Sequence, residues 1–350
     1  METKETGVAL VPVQERVSKF TKRLGLDNFL LALLAMILLA YAWPHMGEEN
    51  GPLPLEEITT YGVSLIFFFY GLRLSPAKLK AGLSDWRLHL VVQLSTFLLF
   101  PALVFVASLF LAHQENQLLW LGVFYVAALP STVSSSVVMV SIAGGNIPSA
   151  IFNASISSLI GVFMTPLWMG LFMSTSSTAE MDLGSIIMKL MLQVLLPVTM
   201  GVLLNKRFGT FAEQQKGRLR LFDQTIILLI VYSSFCDSFA REMFKGYSAA
   251  ELLLLGASMV ALFFLVFGLI HLLCNAMGFS RENRITAIFC GSKKSLVHGT
   301  VMSKVIFPDA NIVGIILLPL MLYHALQLIA ASVLAQRMAQ TTGKTQEVVG

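Results

Sequence analysis

Charge is scarce in this chain: Asp, Glu, Lys and Arg make up 13% of 350 residues, against 56% hydrophobic ones. Ordinary soluble domains carry about 25% charged residues, so a water-soluble globular fold is excluded. Cysteine is rare as well. Cys236, Cys274 and Cys290 are odd in number, sit in or beside apolar segments and show no metal-ligand spacing, which excludes a disulfide framework and a zinc site. The net charge of +4 is scattered through short loops rather than gathered on one patch, which argues against a nucleic-acid partner. No nucleophile–base or metal constellation lies outside two short polar stretches, so no enzyme, cofactor or metal is expected.

What the chain does hold is long apolar runs. A hydrocarbon core of about 30 Å needs about 20 apolar residues per helix. Ten such runs are read, at 28–44, 58–74, 88–111, 118–143, 149–173, 184–205, 221–240, 250–277, 285–306 and 311–335. Loops on one side carry Arg73, Lys78, Lys80 and Arg87, then Lys206, Arg207, Lys216, Arg218 and Arg220, then Arg281 and Arg284, with Arg337 and Lys344 in the tail. The opposite loops hold Glu48, Glu49, Glu56, Glu57, Glu115, Glu180 and Asp182, with Arg241 and Lys245 as basic exceptions. The positive-inside bias then places both termini in the cytoplasm, with a bacterial inner membrane as the expected location.

Residues 1–26 mix Glu2, Glu5 and Glu15 with Lys4, Arg16, Lys19, Lys22 and Arg23 and lack the apolar core of a cleaved signal peptide, so the first span is expected to be retained. Val13, Val17, Phe20 and Leu24 recur at helical spacing, which fits an interfacial helix on an anionic membrane or an ordinary solvated tail. The expected organisation is a cytoplasmic segment 1–26, a five-helix repeat 27–173, a second five-helix repeat 184–336 and a cytoplasmic tail 337–350. With five spans per half the second half starts on the opposite side, so the repeat has to be inverted. Span four ends in Gly144-Gly145-Asn146-Ile147-Pro148 and span nine in Phe307-Pro308-Asp309-Ala310-Asn311, and in each case the next span follows at once.

Spans four and nine are both interrupted, by Leu129-Pro130-Ser131-Thr132-Val133-Ser134-Ser135-Ser136 and by Gly291-Ser292-Lys293-Lys294-Ser295. Pro130 removes a backbone donor, and non-helical backbone at membrane depth has to line protein or a watery cavity. A Pro-kinked, tightly packed helix would account for the first interruption alone. Recurrence in span nine favours a binding site, the pattern of secondary transporters.

Two adjacent lysines inside a span mark function unless they snorkel to the headgroups. Lys293 lies about eight residues, or about 12 Å of helix, from the inner end of its span. His298 follows Lys294 by four residues and on a continuous helix could join it in a polar cluster. No acidic residue is placed at mid-depth to pair with the lysines, because Asp223, Asp237 and Glu251 fall near span ends. Uncompensated buried positive charge attracts an anion or exchanges protons. The candidate site is therefore Lys293, Lys294, Ser292, Ser295 and His298 on span nine with Ser131, Thr132, Ser134, Ser135 and Ser136 on span four and Asn153 on span five. Tyr323, His324 and Gln327 of span ten are expected as interhelical polar contacts. The expected partners are a small organic anion and membrane lipid.

At Gly71-Leu72-Arg73-Leu74-Ser75, at Leu129-Pro130-Ser131-Thr132 with Gly145-Asn146, and most specifically at Gly291-Ser292-Lys293-Lys294-Ser295, the chain resembles the bile acid:sodium symporter superfamily. It is similar in particular to the SBF-like branch, which includes the orphan seventh member of vertebrate solute-carrier family ten. The resemblance implies a core domain of spans three to five and eight to ten, and a panel domain of spans one, two, six and seven. It further implies that broken helices four and nine cross at the centre, with substrate in the core–panel crevice and sodium behind the crossover. In the bile acid carriers the ninth span reads Glu-x-Gly-x-Gln-Asn-Ser. Anchored on Gly291, that pattern sets Phe289 at the glutamate and Lys293 and Lys294 at the two amides, while the fourth-span Ser-Asn pair falls near Ser135-Ser136. Hard cations want oxygen ligands and negative charge, and this site supplies ammonium groups.

The sequence thus reads as an all-α polytopic membrane protein of ten transmembrane helices in two inverted five-helix repeats. Its expected function is secondary active transport of an organic anion by alternating access, with H+ favoured over Na+ as coupling ion through Lys293 and Lys294. A sodium-dependent bile-acid-type symporter and a non-transporting membrane regulator on the same fold are the alternatives.

Overall fold

Backbone in lipid has only itself to hydrogen-bond, and a chain this apolar satisfies that demand as helix. The computed structural model describes residues 28–48, 51–73, 85–112, 116–175, 188, 191–245, 247–307 and 309–347. The interfacial helix expected within 1–26 and the loop at 176–183 lie outside them. Every regular element among the described residues is helical.

In chain order these are α1 (Asn28–Ala42), α2 (Leu55–Arg73), α3 (Trp86–Leu111, with a π turn at Ser95–Leu99), α4 (Gln117–Ala128), α5 (Ser134–Ala143) and α6 (Ile147–Thr175). There follow α7 (Leu196–Gln214, entered by a π turn at Met191–Leu195), α8 (Lys216–Ala240), α9 (Ala249–Ala276), α10 (Arg281–Gly291), α11 (Leu296–Ile306) and α12 (Ala310–Glu347). The stretches Trp86–Leu111, Ile147–Met173, Lys216–Ala240, Ala249–Ala276 and Ala310–Ala339 are each long and apolar enough to cross a membrane. The chain is a polytopic integral membrane protein.

Local signals explain where the helices begin and end. Asp85 caps α3 by accepting from Leu88 N, Ser280 caps α10 by accepting from Asn283 N, and Ser248 forms a reciprocal capping box with Glu251 at the start of α9. Gly144 closes α5 at φ +75°, a left-handed conformation that glycine adopts without Cβ strain. The fourth and ninth sequence-read spans each arrive as two helices, α4 with α5 and α10 with α11. The tenth runs on to Glu347, past the expected boundary at 335, because Gln336-Arg337-Met338-Ala339-Gln340 contains only good helix formers.

Two packed groups result. In the first, α2 lies on α7 and α8 lies on α1 and α2. The α2–α7 crossing is close because Gly71 meets Gly201, and a Cβ on either would run into the carbonyl of Val198 or Phe68. In the second, α12 lies against α4, α5, α9 and α11, while α10 packs on α3, α5, α6 and α9. The groups meet where α8 runs along α11 and α12. There Gly314 would bring a Cβ to 2.8 Å from the Ser234 carbonyl, and Ser238 Oγ donates to the Asn311 carbonyl at 2.7 Å.

Candidate substrate and ion site at two helix breaks

A helix that stops in the interior leaves its last carbonyls without partners, so each interruption raises the question of where those groups bond. At the end of α4 the carbonyls of Ala127 and Leu129 accept from Lys294 Nζ at 2.7 and 2.8 Å, and that of Ala128 accepts from Thr165 Oγ1 at 2.8 Å. The Pro130 carbonyl accepts from Ser295 N at 2.9 Å. At the end of α10 the roles reverse. Ser131 Oγ donates to the Cys290 carbonyl at 2.5 Å, Ser136 Oγ to that of Phe289 at 3.1 Å, and Tyr323 OH to that of Ser292 at 2.6 Å. Each break therefore supplies donors to the other, and Thr165 of α6 and Tyr323 of α12 complete the set.

Both lysines are completely buried. Lys294 Nζ has a third acceptor, the Thr96 carbonyl at 2.8 Å in the π turn of α3, and stands 4.3 Å from the centre of the Phe100 ring. Its peptide is held by Gln327 of α12, whose Oε1 accepts from Lys294 N and whose Nε2 donates to the Lys294 carbonyl, both at 2.8 Å. Lys293 points the other way. Its Nζ donates to Ser135 Oγ at 2.8 Å, in the first turn of α5, and Ser135 Oγ is 2.7 Å from Thr132 Oγ1. Neither lysine forms an ion pair with a carboxylate among the described residues.

The electrostatic contrast between the two positions follows from the helix dipole. Lys294 sits on the carbonyl end of α4, where positive charge is favourable, and Lys293 sits at the amide end of α5, where it is not. Ammonium and helix N-terminus together attract an anion.

The remaining expected residues fall in several places. Ser292 Oγ donates to the Ile288 carbonyl at 2.7 Å, prolonging the last turn of α10. Ser295 caps α11, accepting from His298 N, and its hydroxyl lies 2.9 Å from His298 Nδ1. His298 does not cluster with Lys294, because residues 292–295 are outside any helix and the four-residue spacing has no common face to act on. Its ring instead meets Phe67 and Tyr70 of α2 edge-on, at centroid distances of 6.3 and 5.6 Å. Asn153 is buried on α6 but turns to Gln93 of α3, which donates to both its carbonyl and its Oδ1, and its own Nδ2 donates to the Ser149 carbonyl. Ser134 opens α5.

A cleft runs beside His298, walled by Ile66, Phe67, Tyr70, Val297 and Val301, with Arg73 and Asp223 also lining it. The Arg73 guanidinium donates to Asp223 Oδ2 at 3.0 Å, and Asp223 Oδ1 is buried without a hydrogen-bond partner among the described residues. Tyr70 OH crosses to the Ser155 carbonyl of α6 at 3.0 Å. The cleft thus lies between α2 and α11, with Asp223 of α8 at its edge.

Sequence reasoning placed Gln327 and Tyr323 only as general interhelical contacts, and it missed Thr96, Phe100 and Thr165. A mid-span glutamine is a visible signal. Thr96 contributes a backbone carbonyl, which any residue would supply, so no side-chain pattern announces it.

Comparison with known proteins places this arrangement in a family. Residues 27–340 match the model of the SBF-like CPA transporter family. An uncharacterized Pseudomonas aeruginosa protein is 40% identical over 314 residues, covering 90% of this chain and 93% of its own length. The putative symporter YfeH of Escherichia coli is 36% identical over 324 residues, or 92% of this chain and 95% of its own. Sodium/bile acid cotransporter 7 of Mus musculus is 31% identical over 320 residues, or 90% and 93%.

Proposed function

This chain belongs to the SBF-like CPA transporter family, and on that premise we propose that it is a secondary active transporter of a small organic anion, working by alternating access and coupled to H+ rather than Na+. The observation that carries this reading is the pair of buried lysines at the junction of the two helix breaks, with no carboxylate paired to either among the described residues. Moving an ammonium out of water costs several kcal/mol per ion by general estimate. A fold that keeps two of them at one point uses them, and an anionic substrate is the complement of Lys293 at the amide end of α5.

The reading extends to the architecture. Ten transmembrane helices form two inverted five-helix repeats, 27–173 and 184–336, and the broken fourth and ninth helices cross at the centre. α1, α2, α7 and α8 act as the panel and the other helices as the core, with substrate entering along the cleft beside His298. Both termini are cytoplasmic, in a bacterial inner membrane. The packing of α2 on α7 and of α8 on α1, together with the mutual capping of the two breaks, supports this scheme.

Sodium symport is the second reading, favoured by the name sodium/bile acid cotransporter 7 of several relatives. Against it stands Phe289, together with Lys293 and Lys294, where the carriers' pattern has oxygen-bearing side chains. The test is a screen of anionic metabolites for thermal stabilisation of the purified protein, followed by uptake of any hit into proteoliposomes under imposed proton or sodium gradients. Uptake driven by a proton gradient in sodium-free buffer supports the proposal. Uptake that requires sodium installs the second reading.

A further inference from the structure

We propose that Lys294 is a tethered cation locked in a carbonyl cage between α3 and α4, and that Lys293 alone of the pair is left to meet the transported anion. The second half of this statement rests on the anion-transport reading, and the cage stands apart from it.

A lysine ammonium has three N–H donors and no acceptor. Lys294 Nζ engages all three, with the carbonyls of Thr96, Ala127 and Leu129 at 2.7 to 2.8 Å. The face of Phe100 adds the attraction of its ring for a cation. Two of the three oxygens come from the carbonyl end of α4, whose partial negative charge compensates the ammonium where it sits. The Gln327 clamp on its peptide fixes the root of the side chain as well. Such a group is saturated. It has no donor to offer a ligand, and binding one would break bonds already made at full burial.

Lys293 differs on each count. Among the described residues its ammonium makes one hydrogen bond, to Ser135 Oγ, and it stands at the amide end of α5 rather than at a carbonyl end. An anion arriving from outside the chain supplies both missing acceptors and missing charge.

Three carbonyl oxygens and a ring face converging on one positive charge have the chemistry of a monovalent-cation site. Lys294→Ala removes the atoms of propylammonium from that site, so the probe is propylammonium itself, with 1-propanol as the neutral control of the same size. Thermal unfolding of the full-length variant should fall below that of the wild type and be restored, at least by half and saturably, by propylammonium and not by 1-propanol. Lys293→Ala should not respond to propylammonium. If Lys294→Ala unfolds at the wild-type temperature, or if amine and alcohol act alike, there is no cage.

Should Lys294→Ala fail to fold, the wild-type protein decides the matter by reductive methylation with formaldehyde and cyanoborohydride, read by peptide mass spectrometry. Lys293 should be methylated in the folded protein and Lys294 only after denaturation. Equal reactivity of the two, whether both are modified or both protected, overturns the division of roles. The transport reading fails separately: if propylammonium rescues Lys294→Ala while no organic anion stabilises the wild type, the cage holds and the anion carrier does not.

Discussion

Gln327 brackets Lys294, accepting from its N–H and donating to its carbonyl, both at 2.8 Å. A buried polar group left without a partner costs about 1–3 kcal/mol, and Gln327→Leu orphans two of them. The variant should unfold at a clearly lower temperature than the wild type. Gln327→Glu, which keeps an acceptor and loses the donor, should fall between them. A Gln327→Leu protein of wild-type stability would mean that the clamp contributes nothing.

Anion binding should carry a pH dependence through Lys293. The protonated ammonium is the form that holds an anion, so affinity should rise as pH falls through its titration and level off below it. Glutamine at this position keeps hydrogen bonding and removes charge and titration. Lys293→Gln should weaken binding about tenfold or more, in line with a charged hydrogen bond of about 1.5–3 kcal/mol, and flatten the pH profile. Ligand-induced shifts in unfolding temperature across pH measure both, and an unchanged profile would make Lys293 structural.

Sodium should stabilise the protein no more than potassium does. At the positions of the carriers' ninth-span pattern this chain has Phe289, Lys293 and Lys294, and Ser136 Oγ is already engaged with the Phe289 carbonyl. Unfolding temperatures in matched NaCl and KCl provide the comparison. A saturable, sodium-specific stabilisation abolished by Ser135→Ala or Ser136→Ala would restore sodium symport.

The α2–α7 crossing should tolerate no added methyl group. Gly71→Ala and Gly201→Ala each drive a Cβ into facing backbone, which cannot move aside as a side-chain tip can, and overpacking of this kind costs about 1–3 kcal/mol. Gly256→Ala on α9, which meets nothing within 4 Å, should be neutral. Detergent-solubilised yield and unfolding temperature of the three variants test the contrast.

Topology is open to a direct test. The turn between α7 and α8 should face the cytoplasm and the segment before α2 should face outward, from the distribution of basic loop residues. An impermeant maleimide applied to intact cells should label Leu53→Cys and leave Gly217→Cys untouched until the cells are opened. The reverse pattern would invert the assignment.

By itself the sequence determined the class of this protein, because hydropathy and charge are summed along the chain and need no partner. A 13% charged, 56% hydrophobic chain belongs in a membrane whatever its fold, and Pro130 and the Lys293-Lys294 pair announce the two interruptions without reference to any neighbour. Periodicity served less well at those interruptions. The four-residue spacing of Lys294 and His298 is a rule for helices, and it lapsed where residues 292–295 leave the helix. Tertiary structure alone decided what each lysine meets. The adjacent ammonium groups diverge, one to three carbonyls contributed by two other helices and one to a serine hydroxyl on a third. A carbonyl cage is built from backbone, which every residue carries, so its presence leaves no mark in the order of side chains.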